Sequence, residues 1–454
     1  MSLTDRAHLT PAQTAATAPA PAKAMTVMSA TFLGIGGMVG AGIFALLGEA
    51  GAIAGSAVWV SFLVAGLVAL LQSYSFAKLG ARFPSRGGIV EYLIQEFGNG
   101  HITGIIAWMF FFNAAIVMSM VTVSFASYAG ELIASGEPTT MLTDALAVGL
   151  ILVVLGINLM GPRLVARAQV IVVWLVIGIL GAFAAVLIFN LDPDLLAPST
   201  YPAGSDILSS VALTFFAYLG FNVIAFSAGD MDNPQRDLPR AMFISISATM
   251  VIYIALAIGV FGTLSVAEVI ENGDTALAAA AKPSLGEAGF TLMLTAAAFS
   301  TSSAVNANVY ASGGLMSSLA QRGQFPPFFA RKFGPHGVLG LLISATLVIT
   351  LSLLFDLSAI ASMGSAVTLI FFALITAGHI PIAKKTGAKV WLLVLGVVAA
   401  LATFLMFFFG TLIDDPKTMA ALFCVLALSV GTNFLWKYLK QRSETPAQPA
   451  STSG

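Results

Sequence analysis

Two stretches of this sequence hold residue types whose spacing bears on chemistry. The first, Gly34 to Phe44, reads G-I-G-G-M-V-G-A-G-I-F and places Gly34, Gly36, Gly37, Gly40 and Gly42 within nine residues. Each glycine costs a helix up to ~1 kcal/mol relative to alanine, so five weaken it severely. The second, Thr214 to Asp230, reads T-F-F-A-Y-L-G-F-N-V-I-A-F-S-A-G-D, with Gly220 and polar Asn222 near its middle. A helix broken at such points frees backbone N–H and C=O groups. A helix N-terminus then offers N–H donors and a positive dipole end to a carboxylate, and freed carbonyls accept from an ammonium. The competing reading of the first stretch is a packing face of small residues, for which Gly36 and Gly40 suffice.

The elements that must position these stretches are apolar. Of 454 residues, 58% are hydrophobic and 9% charged, with a mean hydropathy of +0.94. Soluble globular chains carry roughly a quarter charged residues, and a soluble protein this poor in charge could not cover its surface. An all-α polytopic membrane protein with about twelve transmembrane helices is therefore expected. Runs of about 20 apolar residues fall near 26–50, 52–78, 102–130, 141–160, 164–190 and 205–230. A second set falls near 238–263, 287–320, 338–356, 358–381, 389–411 and 418–438. The first two runs are divided on Glu49, Gly51 and Gly55. The two glycine-interrupted spans, one and six, each open a block of five. Interruptions at corresponding positions of two halves point to a transporter site at mid-membrane.

Loop charge sets the expected orientation. With the N-terminus in the cytoplasm, eighteen of the twenty Lys and Arg fall on the inner side, leaving only Lys282 and Lys417 outside. Outer loops carry Glu131, Asp192, Asp194, Glu268 and Asp414 instead. The positive-inside rule is met by an even number of spans with both termini cytoplasmic. An integral, multi-pass location in a bacterial inner membrane follows as the expectation. Net charge is −1, which excludes a nucleic-acid partner; the partners expected are the lipid bilayer and a small-molecule substrate. A lone cysteine, Cys424, rules out an internal disulfide. Monomer and homodimer are both left open.

The middles of spans one, three, six and eight contain no Asp, Glu, Lys or Arg. Charge inside a membrane is costly and usually functional. Its absence favours a ligand held by backbone dipoles, such as a small neutral zwitterion. Three other features read at the inner side. Apolar Ile89, Val90, Leu93, Ile94 and Phe97 beside Glu91 and Glu96 fit a short amphipathic helix at the inner surface, or equally an ordinary structured loop. In the string Asp230, Asp232, Arg236, Asp237, Arg240, Asp237 suits a helix N-cap, and the string also suits an ion-paired gate. His379 reads as an interfacial histidine rather than a proton relay.

Four signatures make the chain resemble the amino acid–polyamine–organocation (APC) family of secondary transporters. They are GGMVGAGIF at 36–44, FPSRGGIVEY at 83–92, FFAYLGF at 215–221 running into DMDNPQRDLPRA at 230–241, and Asn306 with LAQRGQFPPFF at 319–329. The resemblance implies a LeuT-like fold: two inverted five-helix repeats plus two C-terminal helices. The transporter domain would run from 25 to 440, with repeat one at about 26–190, repeat two at about 205–381 and extra helices at about 389–438. Disordered cytoplasmic tails at 1–24 and 441–454 would flank it.

By position, the resemblance gives the substrate carboxylate to the N–H groups of Ala41 and Gly42, within a loop that includes Gly40 and Ile43. It gives the amino group to the carbonyls of Met38, Phe216, Ala217 and Leu219. Phe216 would shield the site, Gly220 would let backbone approach closely, and Asn113 and Asn222 would be polar neighbours. Where many relatives have an acidic residue after the span-six G-F pair, this chain has Asn222. A Ser-Arg pair common in span eight is Gly313-Gly314 here. The span-five lysine of proton-dependent relatives is Val176. No cofactor is implied; the coupling ion would be Na⁺ or H⁺. Ser300 and Ser303, within the run Ser300–Ser303, could ligate Na⁺, a hard oxygen-seeking ion, or simply pack helices. The function implied is an amino acid permease working as symporter or antiporter. An ion channel would need charged rings or a filter, and a membrane enzyme a catalytic motif; neither is found. A receptor on the same fold stays open.

Overall fold

The computed structural model describes residues 25–85, 88–134, 138–160, 162–333 and 337–444. The glycine-rich run divides into α1 (Val27–Ala41) and α2 (Ile43–Ala54), joined at Gly42. Thr26 caps α1, its hydroxyl accepting from the Ser29 N–H. Gly55 ends α2 at φ +53°, a region that side chains resist, and the chain resumes as α3 (Val58–Arg82). Then follow α4 (Ile89–Phe97), α5 (His101–Ala134), α6 (Thr140–Met160) and α7 (Pro162–Phe189). The second interrupted stretch forms α8 (Gly204–Phe216) and α9 (Phe221–Ala225).

Helix α10 (Pro234–Phe261) leads to two short helices, α11 (Val266–Asn272) and α12 (Ala276–Ala279). Helix α13 (Lys282–Gln321) is kinked at Gly286. Strands β1 (Lys332–Phe333) and β2 (Gly337–Val338) form a two-residue antiparallel pair. The chain ends in α14 (Leu339–Leu354), α15 (Leu357–His379), α16 (Ala383–Thr386), α17 (Val390–Gly410) and α18 (Pro416–Glu444).

Among the described residues, ten helical stretches are long and apolar enough to cross a membrane, and Val27–Gly40 and Leu339–Leu354 are shorter apolar helices. Apart from that one short strand pair, the described residues are helices and their connections, and the protein is a multi-pass integral membrane protein. Its helices are not equivalent. The most apolar stretch of α5 is 83% buried in protein, but those of α17 and α18 only 28% and 22%. Trp391, Val394, Phe409 and Phe434 stand exposed on these outer helices, where lipid is the natural solvent. Inside, α3 lies along α10, α5 along α13 and α15 along α17. The interrupted helices α1, α8 and α9 are held within this frame.

Several sequence expectations change. The segment 89–97 is a helix, but its apolar residues Ile89, Val90, Tyr92 and Leu93 are buried against protein rather than laid on a lipid surface. Helix α10 starts at Pro234 with Asn233 at its N-cap, so Asp237 lies inside the first turn and does not cap it. Proline at the first position explains the earlier start, since its missing N–H is not needed there. Among the described residues, Arg322 and Glu91 form an ion pair at this end of the bundle, at 2.6 Å. His379, near the end of α15, is fully buried in protein. The Thr386 hydroxyl donates to the Ala383 carbonyl and so accepts from His379 Nε2, while Nδ1 faces the Ser75 hydroxyl at 2.9 Å. The tail expected at 1–24 lies outside the described residues, as does 445–454; α18 continues through Glu444.

Candidate functional site

Helix α1 and the α8–α9 turn meet through backbone alone. A Cβ at Gly220 would fall 2.1 Å from the Met38 nitrogen and 2.2 Å from the Gly37 carbonyl carbon. No side chain fits between these two segments, so glycine at 220 is a packing requirement. On the other side of α1, a Cβ at Gly36 would strike Val173 of α7, and one at Gly40 would strike Ala304 and the Ser300 carbonyl of α13. The glycines therefore divide between the two readings. Gly36 and Gly40 serve close helix packing, and Gly42 alone marks the break.

The break is tight in this conformation. The Gly42 N–H donates to the Met38 carbonyl at 2.7 Å, and is thus engaged within its own chain rather than free. The α8–α9 turn keeps short i→i+3 bonds: Ala217 N–H to Thr214 O, Leu219 N–H to Phe216 O, and Asn222 N–H to Leu219 O. Tyr253 of α10 joins the two interruptions. Its hydroxyl donates to Met38 O at 2.7 Å and lies 3.1 Å from Ala217 O. Two of the four carbonyls assigned to an amino group are thus bridged by one phenol.

Below this clasp, toward Arg322 and Asp230, lies a cavity of about 50 Å³, against the roughly 10–15 Å³ that one water requires. Of the expected substrate residues, Asn113, Leu219, Gly220 and Asn222 line it. Met38, Gly42 and Ala217 gather at Tyr253 instead. Ile43 is fully buried, and only the backbone of Ala41, helical, is described. The Phe216 ring is buried with its tip against Gly364 of α15, which Ile116 of α5 also reaches. Asn308 and Ser312 of α13 complete the polar lining, and no charged residue contributes among the described residues. Thr368 donates to Asn113 Oδ1 at 3.0 Å, which leaves the Asn113 amide hydrogens for the cavity. The Asn222 side chain makes no hydrogen bond among the described residues.

A second cavity, of about 10 Å³, is lined by Gly36, Val39, Val172, Val173, Val176, Ile177, Ser300 and Ser303. The four-residue hydroxyl run splits here. Thr301 and Ser302 donate back to Ala297 and Phe299 of their own helix. Ser300 and Ser303 make no hydrogen bond among the described residues. Two unengaged hydroxyls thus border a space near the size of one water, lined otherwise by glycine, valine and isoleucine, and Val176 brings no amine to it.

Sequence reasoning missed Tyr253, Thr368, Asn308 and Ser312. Tyr253 left a usable signal: a tyrosine deep in the run MVIYIALAIG, away from the interfaces where tyrosines concentrate. Asn308 left less. Asn306 was the residue singled out, but it pairs with Asn158 at 2.8 Å, and residues two apart on a helix face different ways.

Two helices interrupted where their backbones touch, around a cavity without charge, define a multi-pass membrane protein built to admit a small polar ligand. The chain belongs to the amino acid permease family, which it matches over residues 25–436. It is thus one of the APC-type transporters and not an enzyme. It is 32% identical over 386 residues to the uncharacterised protein MJ0609 of Methanocaldococcus jannaschii, covering 85% of this chain and 88% of that one. It is 29% identical to the inner membrane transport protein YbaT of Escherichia coli, over 90% and 95% of the two chains. A methylthioribose transporter of Bacillus subtilis is 28% identical over 56% and 58%.

Proposed function

We propose that this protein is a secondary active permease carrying small or neutral zwitterionic amino acids by alternating access. The observation that carries the reading is the backbone contact of Gly37 with Gly220 beside a cavity whose polar groups are Asn113, Asn222, Asn308 and Ser312. Carboxamides and hydroxyls both donate and accept, so they can serve an ammonium and a carboxylate together without favouring either net charge. Twelve spans, formed as an inverted five-plus-five repeat with two further helices, would supply two halves that rock around this point. The distribution of Lys and Arg supports cytoplasmic termini, and the likeness to YbaT supports a bacterial inner membrane.

Transport begins, on this reading, when the substrate displaces Tyr253 from the carbonyls of Met38 and Ala217. The freed carbonyls take the ammonium, and the N–H groups of Ala41 and Gly42 take the carboxylate as the α1–α2 joint opens. Na⁺ would sit between Ser300 and Ser303, tying α13 to α1. Uptake of labelled neutral amino acids into proteoliposomes, with and without Na⁺ and pH gradients, is the direct test. Accumulation driven by one gradient is the expected result, and gradient-independent exchange would recast the protein as an antiporter. Folded protein that moves no amino acid or amine at all would overturn the proposal.

A further inference from the structure

Helix α4 carries a carboxyl group that nothing answers among the described residues. Both Glu96 oxygens are closed off from solvent and accept no hydrogen bond. The residue's remaining exposure is on its other atoms. Its Oε2 sits against Gly378, near the end of α15, where an added Cβ would come within 2.9 Å of it and 2.3 Å of the Phe97 ring.

Helix α4 packs on α5, α13 and α15, and on α3 through Tyr92 against Phe76. Among the described residues, the His, Lys and Arg side chains at this end of those helices all have contacts elsewhere, and on α4 itself the buried Tyr92 hydroxyl makes no hydrogen bond. His379 on α15 is held by Ser75 and Thr386. His101 on α5 contacts Asn433 and stacks on Phe434. Arg322, at the end of α13, pairs with Glu91 of α4 itself. On α3, Arg82 donates to the Lys385 carbonyl and Lys78 lies over the Tyr74 ring. Lys437 of α18 reaches the Gly100 carbonyl. A carboxylate stripped of water and counter-charge is strongly disfavoured, and burial holds the Glu96 carboxyl well above the usual range.

The same helix forms part of the cavity's outer support. Gly88, at its N-terminus, would place a Cβ 2.6 Å from the Phe226 ring, and Phe226 lines the cavity. We propose that Glu96 is a proton-binding site that latches α4: the neutral acid lets the helix seat against α15, and loss of the proton unseats it and loosens the Phe226 wall. The latch rests on the transporter reading only for its effect on flux.

The sign follows from linkage. The seated helix holds a proton that a solvated glutamate releases near pH 4.3. Seating is therefore strongest below that value. It weakens by about tenfold per pH unit above it, until the pH reaches the raised value of the seated acid.

The test uses accessibility, so a failure of the transporter reading would not touch it. Leu93 is buried on α4 and Gln95 is exposed on the same helix. Leu93→Cys and Gln95→Cys are made separately in full-length Cys424→Ala protein, reconstituted in liposomes, and labelled with a maleimide. Their rate ratio cancels the thiol's own titration. The ratio is expected to rise with pH above the ordinary glutamate value, by up to about tenfold per pH unit, and then level off. Added Glu96→Gln should hold it low and flat, and added Gly378→Ala, whose methyl intrudes on the seat, should hold it high throughout. A flat ratio with Glu96 present, or the same rise with Glu96→Gln, overturns the latch. Should Glu96→Gln not fold, Gly378→Ala decides alone: a ratio as low and as pH-sensitive as in its parent overturns it.

Discussion

Tyr253 concentrates the consequences of a single hydroxyl. Replacing it with phenylalanine leaves the Ala217 carbonyl without this donor, while Met38 O keeps the Gly42 N–H. A buried acceptor left unpaired costs about 1–3 kcal/mol, so Tyr253→Phe should lower the thermal unfolding midpoint by a corresponding few degrees. If the substrate ammonium must displace this hydroxyl, the same variant should also bind substrate more tightly, read as a lower KM. Gly220→Ala acts differently. Its methyl meets the Met38 nitrogen, a backbone atom that cannot swing aside, so transport should be abolished while membrane insertion persists. Normal uptake by that variant would remove the backbone contact from the mechanism. The hydroxyls of α13 give a matched pair. Sodium stimulation should vanish in Ser303→Ala and persist in Ser302→Ala, whose hydroxyl is already bound to its own helix; equal behaviour of the two would rule out the cation cavity.

Short elements close over the end of α2. These are helices α11 and α12, and a Cβ at Gly48 would strike the Gly273 carbonyl at 2.4 Å. Asp274, in the turn between them, accepts from Ser127 of α5 at 2.7 Å. Burial pushes its carboxyl up, the Ser127 bond pulls it down in part, and nearby Asp356 pushes it up again. A raised value in the packed lid means that packing is strongest below the ordinary aspartate range of about 3.9 and is lost as pH rises toward the raised value. Asp274→Asn should remove that dependence. Hydrogen exchange of residues 266–279, followed against pH, measures it, and an unchanged pH profile in the variant would refute the assignment. The sequence left α4 open between an amphipathic helix and a structured loop, and it is a helix. Its burial was not legible, because its apolar face suits a lipid surface and a protein groove equally well.

At the scale of the whole molecule, the cavity lies on the side of Tyr253 nearer Arg322 and Arg236, the side rich in basic loops. A cysteine replacing Asn222 in Cys424→Ala protein should therefore react with an impermeant reagent added from that side. Reaction only from the opposite side would show that the molecule opens the other way. The frame around the cavity is tied by few polar bonds. The fully buried Gln72 of α3 donates to the Gly396 carbonyl of α17 at 2.7 Å and accepts from Thr376 of α15 at 2.6 Å. Such a bond across three helices satisfies groups that lipid could not.

The sequence by itself determined the solvent, the apolar helices and the two places where they are interrupted. Hydropathy and glycine content are local properties, summed along the chain, and need no knowledge of neighbours. It also carried the family, through motifs contiguous in the chain. Only the tertiary structure decided how the five glycines divide their work, that Asn308 rather than Asn306 faces the cavity, and that Tyr253 bridges the two interruptions. Those depend on the rotation of each helix about its own axis. Within spans apolar on every side, no pattern of polar and apolar residues records that rotation. Glu96 belongs to the same class: its sequence neighbours describe a surface helix, and only the packing of Gly378 and Phe97 around it removes the water.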